Sequence, residues 1–224
     1  MIDIKSVKAI IFDLDGVLLT TDRYHYLAWK ELADELGIPF CEKDNEAFRG
    51  VSRMDCLELL LSKKENTVFT AEEKLMYADG KNRRYIELLS ELSPATVEAE
   101  VRDTLAVLKA RGYRLAVGSS SKNAKYILEK VALTEMFDAI IGGDDIARSK
   151  PDPEVFLKAA AAVGVLPAEA AVIEDADAGL MAAVSGGMYP VAMGAAKESP
   201  LALARLECFG ELQQIFSNTS KQEI

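Results

Sequence analysis

Five short apolar runs rich in valine and isoleucine set the fold of this chain: residues 7–12 (VKAIIF), 113–118 (YRLAVG), 138–143 (DAIIGG), 170–174 (AAVIE) and 189–193 (YPVAM). Each is too short for a typical helix and is bounded by polar or turn residues. A strand covered on both faces has no reason to alternate apolar with polar residues. Continuous runs therefore predict buried parallel strands. A helical pattern precedes each of the later four, at 101–112, 123–133, 152–164 and 178–187. Several of these close on glycine, as helices commonly do. Strand–helix alternation predicts an α/β fold, a doubly wound parallel sheet with right-handed crossovers.

Residues 18–92 break the alternation. Tyr24, Ala28, Leu32 and Leu36 recur at helical spacing and Gly37 ends the run; 53–63 and 71–92 are helical in pattern too. The expected organisation is an α/β core from 1–17 and 93–224, with 18–92 as an inserted helical cap domain. Open α/β sheets carry their sites at the C-terminal strand ends. An insertion directly after the first strand is expected to lie over that site as a lid.

A net charge of −10 over 224 residues argues against nucleic acid and anionic membrane surfaces as partners. An anionic small molecule would need a locally basic site. Three widely spaced cysteines, Cys41, Cys56 and Cys208, suggest neither a zinc site nor a disulfide framework. The N-terminus does not resemble a signal peptide, and no apolar run approaches the roughly 20 residues that span a bilayer. The expectation is a cytoplasmic monomer acting on a small molecule.

The first run ends in Asp13 and Asp15, followed by Gly16, which lets the backbone turn. Two carboxylates so close raise each other's pKa unless a cation intervenes. Alone they could be solvated acids at a strand end. A second pair, Glu174 and Asp175, ends the fourth run. Parallel strands would bring both pairs into one crevice, and Mg2+ suits such oxygen ligands together with a phosphate oxygen. The alternative, compatible with that role, is that Asp175 or Asp177 caps the next helix. Residues 118–124 (GSSSKNA) offer three hydroxyls before a helix, suited to an anion or to ordinary serine capping. Lys150, in SKPDP, could balance charge among carboxylates and phosphate, or lie in a solvated loop.

Together FDLDG, GSSS, SKPDP and EDADAG stand in the order and context of the haloacid dehalogenase superfamily, which the chain resembles along its whole length. TTDRYHYLAWKELADELGI, GVSR, GKN and SSSKN are similar, more narrowly, to its phosphosugar mutases. The resemblance implies that Asp13 is a nucleophile forming an aspartyl phosphate and Asp15 the general acid/base. Asp13, the Asp15 carbonyl, Glu174 and Asp175 would hold Mg2+. Ser119 and Lys150 would bind the transferring phosphoryl group, with Ser120 contributing its backbone N–H. Arg53 and Lys81 would grip the other phosphate. Ser121, Lys122 and Asn123 would contact that phosphate or the sugar. Thr21 and His25 would link cap closure to Asp15, while Trp29, Gly50 and Val51 would line the sugar pocket.

The implied reaction converts β-D-glucose 1-phosphate to β-D-glucose 6-phosphate through a bisphosphate. The same core also suits a phosphohydrolase of a small sugar phosphate. A phosphoacceptor signalling domain likewise places acids and a lysine at strand ends, but the large insertion and second acid pair argue against it.

Overall fold

Every residue of the first strand, Ala9–Phe12 (β1), is buried, because strands running the same way flank it on both sides. It pairs in parallel with Arg114–Gly118 (β2) and with Ala170–Glu174 (β4). The computed structural model describes residues 3–48, 51–65 and 67–217. Ala139–Ile141 (β3), Tyr189–Ala192 (β5) and Ala204–Arg205 (β6) complete a parallel six-stranded sheet in the order β3-β2-β1-β4-β5-β6. All five predicted strands are present. The two-residue β6 was not predicted, because a segment that short carries no periodicity.

The chain divides into two compact units, one formed by Met1–Thr20 with Leu92–Ile224 and the other by Thr21–Glu91. The second is helical: Asp22–Glu35 (α1), Glu42–Glu46 (α2), Arg53–Leu61 (α3) and Ala71–Leu88 (α4). Its core gathers Trp29, Leu32, Ala33, Phe40, Phe48, Leu57, Leu60 and Ala78. Thr70 and Glu73 form a capping box that starts α4, and the Ser52 hydroxyl accepts from Asp55 N at 3.2 Å to start α3. The unpredicted α2 is the polar stretch EKDNE, held by its cap rather than by an apolar stripe: Cys41 N donates to Asp44 Oδ2 at 2.9 Å.

In the first unit, Ala99–Ala110 (α5), Ala124–Lys130 (α6), Glu154–Ala162 (α7), Asp177–Ser185 (α8) and Leu212–Ile215 (α9) accompany the sheet. Gly112, Gly164 and Gly187, the predicted closing glycines, have φ of +88°, +74° and +72°. The two-residue period sends neighbours along β1 to opposite faces. Ile11 packs with Phe156 and Ala159 of α7 and Ala183 of α8. Phe12 stacks on Phe209 at 5.7 Å and meets Phe137 edge-on at 6.1 Å.

The chain builds outward from β1 to β2 and β3, then returns to place β4 on the other side of β1. That reversal makes the carboxyl ends of β1 and β4 a topological switch point, where open α/β sheets form crevices. Phe12 lies beside Ile173 in register, so Asp13 and Glu174 emerge side by side. The placement of the acids thus follows from strand order.

Candidate active site

At the switch point Asp13 is held by its own backbone: Asp13 N donates to Ile173 O at 3.0 Å. Carboxylate oxygens of Asp13, Glu174 and Asp175 all lie within 4.8 Å of one another. Lys150 enters from the loop before α7 and is buried, with Nζ 2.5 Å from Asp13 Oδ1 and 2.5 Å from Glu174 Oε1. The other oxygen of Glu174 accepts from Asp175 N at 2.9 Å and Ala176 N at 3.0 Å. Glu174 therefore anchors the lysine and the turn into α8 at once.

The charge balance is uneven. Burial alone would lower the Lys150 pKa, but Asp13 and Glu174 more than offset it, so the ammonium stays charged above the ordinary lysine value. One cation does not neutralise the cluster. Burial, together with the charges of Asp13, Glu174 and Asp15, pushes the Asp175 carboxyl up to about 8, with Lys150 opposing. The donor set fits a hard divalent cation: three carboxylates converge and one resists ionising without further positive charge.

Two glycines make room for this geometry. A Cβ at Gly16, whose φ is +86°, would lie 2.0 Å from Asp175 Oδ2. A Cβ at Gly179 would lie 1.8 Å from Glu174 Oε1. The Asp175 carboxyl is packed against Gly16 rather than turned to α8. The expected capping by Asp175 or Asp177 is accordingly not made: Ala176 holds the N-cap position and no side chain caps the helix.

The loop after β2 sits next to Asp13. Ser119 is buried, its N–H bonded to Ile141 O at 3.0 Å and its hydroxyl accepting from Ser121 N at 3.2 Å. The Ser120 hydroxyl is buried without a hydrogen-bond partner. Ser121 Oγ accepts from Asn123 N at 3.2 Å, so the serines shape the loop and do not cap α6; Asn123 holds the N-cap position without a side-chain bond to the helix. Lys122 is exposed and paired with Asp144 at 3.4 Å, an arrangement that turns its charge to the surface. Asp145 caps the neighbouring turn, its Oδ2 accepting from Gly142 N at 2.8 Å.

The helical unit assembles a second group. Lys81 is buried, with Nζ 2.9 Å from His25 Nδ1 and 4.6 Å and 4.7 Å from the ring centroids of Trp29 and Tyr85. His25 stacks on Tyr85 at 4.0 Å between centroids. Thr21 is buried, its hydroxyl 2.8 Å from Tyr85 Oη. Burial, then the charges of Lys81 and Arg53, hold the His25 pKa well below its ordinary value. Arg53, at the start of α3, thus shares the electrostatic environment of Lys81 and His25. Val51 is exposed; Gly50 lies outside the described residues.

Tyr85, which joins Thr21, His25 and Lys81, was not among the predicted site residues. Its signal was available: it stands four residues after Lys81, one turn along α4. Among the described residues, no helix is long and apolar enough to cross a membrane.

Comparison with known proteins places the chain in a family. Residues 7–187 match the haloacid dehalogenase-like hydrolase family. The chain is 42% identical over 189 residues to β-phosphoglucomutase of Bacillus subtilis, covering 84% of each chain. It is 30% identical to a phosphorylated carbohydrates phosphatase of Thermotoga maritima, covering 81% of this chain and 82% of that one. The crystal structure of β-phosphoglucomutase from Clostridium difficile superposes with a TM-score of 0.85 at 34% identity, over 92% of this chain and 93% of that one. The match takes in the strands that carry both acid pairs and the loop that carries Lys150, and with it the chain belongs to the haloacid dehalogenase-like hydrolase family.

Proposed function

We propose that the protein is a phosphosugar mutase that converts β-D-glucose 1-phosphate to β-D-glucose 6-phosphate through an aspartyl phosphate and a bisphosphate. The observation that carries this reading is a second cationic group in the helical unit. Lys81 and Arg53 concentrate positive charge around His25 in a chain whose net charge is −10. A bisphosphate presents two anions, so its recognition calls for a basic group besides Lys150. The 42% identity to a β-phosphoglucomutase over most of both chains supports the same substrate class.

Asp13 attacks phosphorus. Lys150 engages Oδ1, so attack falls to Oδ2. The phosphorus–oxygen bond to the sugar breaks as the Asp13 oxygen–phosphorus bond forms, and Asp15 gives a proton to the departing sugar oxygen. In the return step the 6-hydroxyl of a β-D-glucose 1-phosphate attacks the phosphoryl group on Asp13, its proton passes to Asp15, and the bisphosphate forms as Asp13 is restored; attack by Asp13 on the C1 phosphorus of that bisphosphate then releases glucose 6-phosphate. Lys150 and Ser119 hold the equatorial oxygens, where transition-state charge accumulates. Asp13, Glu174, Asp175 and the Asp15 carbonyl would hold Mg2+, which supplies further positive charge to those oxygens. Arg53 and Lys81 bind the phosphate that is not being transferred.

A coupled assay with Mg2+ and a glucose bisphosphate primer tests the proposal. Glucose 6-phosphate should form from the β anomer and not from α-D-glucose 1-phosphate. Absence of glucose 6-phosphate from the β anomer would rule this mutase reaction out. The second reading is a phosphohydrolase of a small sugar phosphate. It is favoured by the identity to the Thermotoga maritima phosphatase, and it predicts steady release of inorganic phosphate without primer.

A further inference from the structure

The Lys150 ammonium has a third neighbour besides its two carboxylates. Its Nζ lies 4.6 Å from the ring centroid of Phe156. Phe156 belongs to the first turn of α7, six residues after Lys150, and is fully buried. Space for the ring comes from Gly118, the last residue of β2. A Cβ there would lie 2.7 Å from Phe156 Cδ1 and 3.0 Å from Cε1. A β-strand glycine, a helical aromatic and the loop lysine are thus fitted to one another directly behind Asp13.

An ammonium carries three N–H groups and no acceptor. Asp13 Oδ1 and Glu174 Oε1 take two directions. The third N–H is free for the phosphoryl oxygen of the proposed reaction, and an aliphatic side chain would fill the volume of Phe156 but leave the α7-facing side of a buried cation against methyl groups. The negative face of an aromatic ring attracts that cation instead. The surrounding cluster of Ile11, Val155, Ala159 and Ala160 supplies hydrophobic packing in any case, so packing alone does not account for an aromatic ring under the charge.

We infer that Phe156 is a positioning residue: its ring face holds the Lys150 ammonium between Asp13 and Glu174, and so orients Asp13 for attack. The inference rests on the reading of Asp13 as nucleophile.

Replacing Phe156 with mono-, di- and trifluorophenylalanine weakens the ring's negative face while nearly preserving its shape. In the Mg2+-loaded enzyme, turnover of β-D-glucose 1-phosphate should fall stepwise with each fluorine, by roughly 2- to 30-fold in total. Thermal midpoints should hold. Gly118→Ala, which displaces the ring, should cause a similar loss. A readout that needs no turnover is the NMR shift of the Lys150 ε-protons, expected upfield from the ring current and returned downfield in Phe156→Leu. Turnover flat across the fluorinated series, or Lys150 protons unmoved in Phe156→Leu, would overturn the inference. An Asp13→Asn enzyme that still turns over would instead overturn the proposed reaction, leaving the Lys150 signal to decide the placement.

Discussion

Lys81 donates to His25: its Nζ lies 2.9 Å from the Nδ1 of the chain's only histidine. An ammonium cannot accept a hydrogen bond, so Nδ1 is the acceptor and the imidazole proton sits on Nε2. Protonating Nδ1 would place two cations in contact.

The first prediction follows from that pair. The folded-state pKa of His25 lies below its ordinary value near 6.5, so the unfolded chain binds a proton more readily. Stability from this group is present above pH 6.5 and is lost progressively as pH falls from there through the lower folded-state pKa. The slope from one proton is at most about 1.4 kcal/mol per pH unit. Urea midpoints between pH 5 and 7.5 should show this fall in the native protein and a shallower one in His25→Gln. Parallel curves would contradict it.

Asp175 gives the opposite sign. Its folded-state pKa is raised to about 8, so the ion-free protein is stabilised below the unfolded carboxylate value and loses that contribution as pH rises through 8. A divalent cation must displace the proton below pH 8. Apparent Mg2+ affinity should therefore weaken about tenfold per pH unit between 8 and 6. Calorimetry in two buffers of different ionisation heat should register close to one proton released at pH 7. Asp175→Asn should abolish that release along with most of the affinity.

Gly179→Ala separates local propensity from site geometry. Alanine in place of glycine inside α8 should favour the helix by up to about 1 kcal/mol. Yet its Cβ would lie 1.8 Å from Glu174 Oε1, the oxygen that holds Lys150. Moving a buried carboxylate off its lysine outweighs the helix gain, so the variant should fold with a lowered thermal midpoint and lose about 10- to 100-fold in Mg2+ affinity or turnover. Unchanged affinity and turnover would show that Glu174 is not held in place by that glycine.

The core was legible because strands buried on both faces read as continuous apolar runs, and the acids that end two of them could be assigned to a crevice. What the runs do not carry is strand order. Nothing in AIIF or AAVIE says that the two strands are neighbours; tertiary packing decides it, and the adjacency of Asp13 and Glu174 depends on it. The α2 helix escaped notice because EKDNE has no apolar period. The capping role considered for Asp175 and Asp177 failed because tight packing against Gly16 draws the Asp175 carboxyl into the acid cluster. Phe156 falls within the helical pattern at 152–164, where a buried phenylalanine reads as core until the lysine over its ring is seen.

Removing the proposed nucleophile is the simplest chemical test of the site. Asp13→Asn keeps the size of the side chain but cannot form an acyl phosphate. It should reduce turnover by at least about a thousandfold, with a smaller effect on stability. Native-like turnover would exclude the nucleophile assignment.

The most direct test of the mutase reading is the fate of the phosphoryl group once it is on Asp13. Enzyme phosphorylated with labelled phosphate should be mixed with β-D-glucose 1-phosphate, and the label partitioned between sugar and water. The account predicts that the label appears predominantly in glucose bisphosphate and glucose 6-phosphate. Label released mainly as inorganic phosphate, at a rate unaffected by the sugar phosphate, would contradict it and identify a phosphohydrolase.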